Sequence, residues 1–289
     1  MDLLIKLQKI DRRIIYALVV VVLMLPLIFH PAGHPTLVTP EVHDAFDVID
    51  QVPKDKMVIL SSAWGPSTEY ENGPQTAALM HHMLLKGIRF GIVSWDPQGA
   101  QLTYNIGNNL QTELHKQYGV DWVHFGYKVL IEAALRGIGT NLPKTMETDM
   151  NGTRLTDLSK LPVMKGIRDS RDIGAVVEIS ASGTLEGTMT YMTQPNNLPL
   201  LYCPTAVMSV EAYRYLDSRQ LKGMLNSAVG AAQYETLIGL SNVTTPASVT
   251  TWALSTAHIF IIVLILLGNL GYFASKKAAR RQGGEANND

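Results

Sequence analysis

Two apolar runs without a single charged side chain stand near opposite ends of this sequence, and they constrain it more than anything between them. The first extends from Ile14 to Phe29 through Val19, Val20, Val21, Val22 and Leu23, and the second from Trp252 or Ala253 to Phe273 through Ile259, Ile262 and Leu267. A helical span needs about 17 to 25 predominantly apolar residues, so the first run suffices, with Tyr16 and His30 suited to the interface, and the second is ample. Lys6, Lys9, Arg12 and Arg13 precede the first run, whereas Lys276, Lys277, Arg280 and Arg281 follow the second. Positive-inside bias then puts both termini in the cytoplasm and the intervening chain outside it, at a cell membrane.

The expected organisation is a cytoplasmic basic tail over residues 1–13, a transmembrane helix over 14–30, and an extracytoplasmic domain over 31–240. A linker over 241–251, a second transmembrane helix over 252–273 and a basic tail over 274–289 complete it. A cleavable signal peptide would share the basic start and apolar core. The segment His30-Pro31-Ala32-Gly33-His34-Pro35 offers no small-x-small cleavage site, which favours an uncleaved signal anchor. Leu3, Leu4, Leu7 and Ile10 form a helical stripe, read either as a surface-lying helix or as an extension of the span.

The two tails take eight of the 24 basic residues, leaving 16 basic against 21 acidic residues between them. That mildly acidic domain excludes nucleic acid as the expected partner. Cys203 is the only cysteine, so no disulfide forms within the chain and stability rests on packing.

Between the spans, strand-like and helix-like segments alternate. After a helix over 41–52, Met57-Val58-Ile59-Leu60 breaks into a loop and a helix over 75–86. Ile88 to Val93 precedes a helix over 101–118, in which Gly107 is a candidate interruption, and Trp122 to Gly126 precedes one over 129–136. Thr140 to Arg154 reads as a polar insertion and Leu158 to Ile167 as a short helix. Gly174 to Ser180 and Leu198 to Cys203 are a fourth and a fifth strand, with closing helices over 211–216 and 220–237. Such alternation predicts an α/β domain with an open, mostly parallel sheet of about five strands. It resembles the doubly wound domains of the Rossmann, flavodoxin and periplasmic-binding type, and that likeness implies architecture without an activity.

Ligands of such sheets sit at the loops leaving the carboxyl ends of the strands. The candidates for ligand binding there are Ser61, Ser62, Trp64, Ser67, Trp95, Asp96, Ser180, Ser182 and Thr184. Small hydroxyl residues beside glycine suit backbone contact with an anion, and the two tryptophans suit stacking on a planar ligand or a partner protein. Helix capping by the same hydroxyls and core burial of the same rings are the structural alternatives. No phosphate loop or three-glycine dinucleotide fingerprint is present. Glu69, Glu71, Asp96 and Glu178 place carboxylates near this rim, where helix starts also favour acids for purely structural reasons.

No catalytic residue is assigned. Cys203, Ser61 and Ser182 are nucleophile candidates without a nucleophile elbow or protease signature around them. His81 and His82 are adjacent on a helix and hence face different ways, and His124 suits a packed core, so neither a metal nor another cofactor is expected. The spans carry no Asp, Glu, Lys or Arg and so no ion path. His258, Gly268, Asn269 and Gly271 are candidates for helix contacts in the second span.

The leading expectation is a non-catalytic, membrane-anchored subunit of a larger membrane complex, assembling through its domain with other subunits or with copies of itself. Extracytoplasmic binding or sensing of a small ligand, with an anion among the candidates, is the alternative, and a hydrolase or transferase using Cys203, Ser61 or Asp96 is the third.

Overall fold

The computed structural model describes residues 11–31 and 37–285, with side chains followed to residue 277. The stripe at Leu3, Leu4, Leu7 and Ile10, the basic residues Lys6 and Lys9 and the side chains of Arg280 and Arg281 lie outside what is described. The chain divides into two compact units, residues 32–248 and the terminal pieces 1–31 and 249–289.

In the terminal unit, α1 (Arg12–Phe29) is capped by Asp11, whose carboxylate accepts from the Arg13 amide at 2.9 Å, and it carries Pro26 within its last turns. At 18 residues it is about 27 Å long, enough for a hydrocarbon core. The last helix of the chain, Pro246–Glu285, runs 40 residues without a break, and its stretch Pro246–Lys277 is likewise long and apolar enough to cross a membrane.

The middle unit is an α/β domain. Its elements are α2 (Pro40–Asp50), β1 (Met57–Ala63), α3 (Glu69–Lys86), β2 (Arg89–Ser94), α4 (Pro97–Glu113), β3 (Trp122–Tyr127) and α5 (Ile131–Met146). They continue with β4 (Ile173–Ser180), the one-turn α6 (Leu185–Thr188), β5 (Leu200–Pro204), α7 (Ala206–Asp217), β6 (Gly223–Met224) and α8 (Ser227–Leu237); the long terminal helix is α9. All six strands are parallel, in the order β3-β2-β1-β4-β5-β6. Parallel strands covered on both faces read as continuous apolar runs, which is why β1 shows no polar alternation and is buried at every position.

Side chains alternate between two cores. Val58, Leu60, Phe90, Ile92, Val177 and Ile179 pack under α2, α3, α4 and α8. Met57, Ile59, Val93, Val123, Phe125 and Val176 pack under α5, the loop around Val163 and the helical turns after β4. Gly107 interrupts nothing: α4 passes over the Trp122 ring there, and a Cβ would lie 2.4 Å from it.

The sheet has six strands instead of about five. β6 is two residues long, too short to carry a periodic signal, and it lies inside the stretch 220–237 expected to be one helix. The first part of the expected insertion, Thr140 to Met146, belongs to a helix. α5 continues to Met146 across a kink at Asn141, whose φ/ψ of −160°/88° leaves the helix for one residue. The outer edge of β3 is covered, since the Trp122 carbonyl accepts from the Gly119 amide at 2.7 Å and the His124 carbonyl from the Met150 amide at 2.7 Å.

Candidate functional site

Because α3 and α4 leave the sheet toward one face while α5, α6 and α7 leave toward the other, the loops after β1 and β4 diverge. A crevice opens between them. It encloses about 210 Å³, and six of the nine expected binding residues line it: Trp64, Ser67, Trp95, Asp96, Ser182 and Thr184.

The other three lie beneath the surface. Ser61, Ser62 and Ser180 are fully buried. Strand alternation sends Ser61 and Ser62 to opposite faces, and the Ser62 hydroxyl has no hydrogen-bond partner. Ser61 stands opposite Glu178 in the β1–β4 register and accepts from the Trp95 indole N–H at 2.8 Å. Ser180 lies within 2.9 Å of the Thr184 hydroxyl and accepts from the Ser182 amide at 2.9 Å, so these residues brace the turn out of β4.

Glu178 is the centre of this arrangement. Its side chain is wholly buried, the Thr184 hydroxyl donates to one carboxyl oxygen, and the Thr188 hydroxyl donates to the other at 2.8 Å. Burial pushes its acid up to about 7, against the hydrogen bonds of Ser61, Thr184 and Thr188, which favour the charged form. Among the described residues no cation pairs with it. Two walls of the crevice, Trp95 and Thr184, therefore reach the same buried acid, one through Ser61 and one directly.

The remaining rim acids cap helices. Asp96 Oδ1 accepts from the Gly99 amide at 2.6 Å and caps α4, and Gly99 is bare because a Cβ there would meet the Trp64 carbonyl at 2.0 Å. Glu71 Oε2 accepts from the Ala206 amide at 2.8 Å at the start of α7, and Glu69 stands in the first turn of α3.

The histidines serve the core. His124 accepts from the Gly126 amide on Nδ1, so its proton sits on Nε2 facing Thr103 Oγ1 at 2.9 Å, and burial holds the ring down at about 3. His82 is stacked on Phe46 and lies 2.7 Å from the Tyr234 hydroxyl. Burial also pushes the Cys203 thiol up, and Cys203 belongs to the core face opposite Ser61, so these two nucleophile candidates do not meet. No group of three or more metal-ligating side chains is gathered among the described residues. Of the helix-contact candidates on α9, Gly271 is buried, whereas His258, Gly268 and Asn269 are exposed.

Two features had no sequence expectation attached. Val129 and Leu130 lie exposed between β3 and α5, and Ile131 beside them joins that apolar shelf to the crevice. Val207 and Val210 stand exposed on α7 at helical spacing. Three consecutive apolar residues directly after a strand were the available signal for the first feature. Compared with known proteins, the chain matches no protein-family model, no curated protein and no solved structure.

Proposed function

We propose that this chain is a non-catalytic, membrane-anchored subunit of a larger membrane complex, and that its α/β domain meets its partners through the rim at the carboxyl ends of the strands. The observation that carries the reading is the distribution of exposed apolar side chains in the domain. Apart from Leu37 in the segment leading into α2, the most exposed of these, Val129, Leu130, Val207, Val210 and Tyr70, are between 72% and 83% exposed, and each lies in the loop or helix start after a strand. Tyr70 and Val207 flank the Glu71–Ala206 hydrogen bond, so two of these side chains come from adjoining helix starts. Large apolar groups gathered on one rim favour burial against another surface.

The domain in this reading is Rossmann-like, since a strand order that turns back between β1 and β4 is that of doubly wound nucleotide-binding sheets. The glycine fingerprint is lacking, so the likeness supports a scaffold and not a cofactor. Basic residues flanking both apolar runs on the side of the chain ends support two cytoplasmic termini and an extracytoplasmic domain. The partner is another membrane subunit or a second copy of the chain.

The test is chemical cross-linking of the full chain in its native membrane, with its mass in mild detergent as a second measure. A defined higher-mass species, lost when Val207→Asp and Val210→Asp are combined, is the expected result. A monodisperse monomer that forms no cross-link and carries no co-purifying chain overturns the reading.

A further inference from the structure

We propose that the crevice between the β1 and β4 loops is a binding site for a small organic cation, an ammonium-bearing molecule held by the Trp95 ring, the Asp96 carboxylate and the hydroxyls of Ser182 and Thr184. This goes beyond assembly and stands or falls independently of it.

The chemistry of the walls selects the charge. No Lys, Arg or His lines the crevice, and its one ionisable lining side chain is the Asp96 carboxylate. Helix starts ordinarily attract anions, but the three long helices that begin here already carry the chain's own acids. Asp96 caps α4, Glu69 and Glu71 occupy the first turn of α3, and Glu132 that of α5, which starts at Ile131 in the lining. An incoming anion would compete with those carboxylates, whereas a cation complements them.

Trp95 adds an aromatic face, and an ammonium near an indole is attracted by its ring quadrupole. Beneath the lining lies Glu178, a carboxyl without a cationic partner, joined to the crevice by the Thr184 hydroxyl and by the Trp95–Ser61 hydrogen bond. A positive charge placed between Trp95 and Thr184 gives this acid the counter-charge that none of the described residues supplies. The hydroxyls of Ser182 and Thr184 can turn their lone pairs to an N–H donor. A volume of about 210 Å³ limits the ligand to a small molecule.

The experiment uses the full chain in nanodiscs of zwitterionic lipid, titrated with n-butylammonium, n-butanol and butyrate and read by calorimetry and tryptophan fluorescence. The expected result is saturable binding of butylammonium at least tenfold tighter than of the alcohol or the carboxylate. Asp96→Asn keeps the α4 cap, because asparagine caps as well as aspartate, and weakens butylammonium at least tenfold through the lost charge. Thr184→Val weakens it as well, and circular dichroism verifies the fold of each variant. Butanol or butyrate binding as tightly as butylammonium, an absence of saturable binding, or an Asp96→Asn affinity equal to wild type would each overturn the proposal.

Discussion

The two ends of the sheet treat their charged groups in opposite ways. At the amino end, Arg89 at the start of β2 donates to the carbonyls of Val163 at 3.0 Å, of Lys165 at 2.7 Å and of Asp55, tying three chain segments together. At the carboxyl end, Glu178 is buried with hydroxyls alone around it, beside an open crevice and exposed apolar side chains. One end uses its charge to hold the fold, while the other buries an acid with no cation beside it among the described residues, where the loops diverge. The proposed binding site and docking surface both lie at the second.

The largest expected effect tests whether that buried acid is as unpaired as its surroundings imply. Burial raises Glu178 from about 4.5 to about 7, and it raises Glu235, which accepts from Thr245 at 2.5 Å, by a similar amount. A raised acid keeps its proton in the folded chain after the unfolded chain has lost it. Its stabilisation is therefore complete below about pH 4.5 and declines until about pH 7. In chemical denaturation between those limits each acid should contribute a fall of about 1.4 kcal/mol per pH unit, opposed by the buried His124, whose ring is held down at about 3 and whose contribution rises with pH. In Glu178→Gln the slope should lose a fall of about 1.4 kcal/mol per pH unit relative to wild type; an unchanged slope would mean that Glu178 is ionised and paired in solution.

Arg89→Ala comes next, with an expected loss of about 3 kcal/mol because three carbonyls lose a charged donor. Its pH slope should match wild type, since the titrating acids lie elsewhere. Arg89→Lys should recover less than half, because an ammonium lacks the planar fork. Trp95→Phe removes the N–H donor to Ser61 together with part of a ring packed against the core, and should cost about 2 kcal/mol in the same denaturation experiment. Ser182→Ala, at an exposed position of the crevice wall, should change the midpoint by no more than about 0.5 kcal/mol.

What was legible beforehand was whatever has a local cause. β1 announces itself by the unbroken apolar run from Met57 to Leu60, and Gly87 closes α3 in the left-handed conformation, with φ of 64°. The divergence of loops was implied by alternating strands and helices. The choice between Ser61 and Ser62 was not legible, since neighbouring serines on a strand fully buried on both faces give no alternation to show which one meets Glu178. Nor was the Glu178 cluster. Thr184 and Thr188 lie six and ten positions beyond it, a spacing set by the turn out of β4 and not by one helical or strand period. Trp95 meets Ser61 only through the register of β1 with β2, a long-range fact. α5 beyond Thr140 was hidden by Asn141 and Pro143, breakers that a one-residue kink accommodates.

The sheet's two outermost strands carry a further consequence. Copies of a domain confined to a surface meet one another often, and a parallel sheet with bare flanks invites a neighbour to add its own strand. On one flank, β6 presents only two residues, too short a template to recruit a strand. On the other, Gly119 and Met150 already satisfy outward carbonyls of β3. Crowding can therefore bring these domains side by side without fusing their sheets, and contact between them is left to side chains.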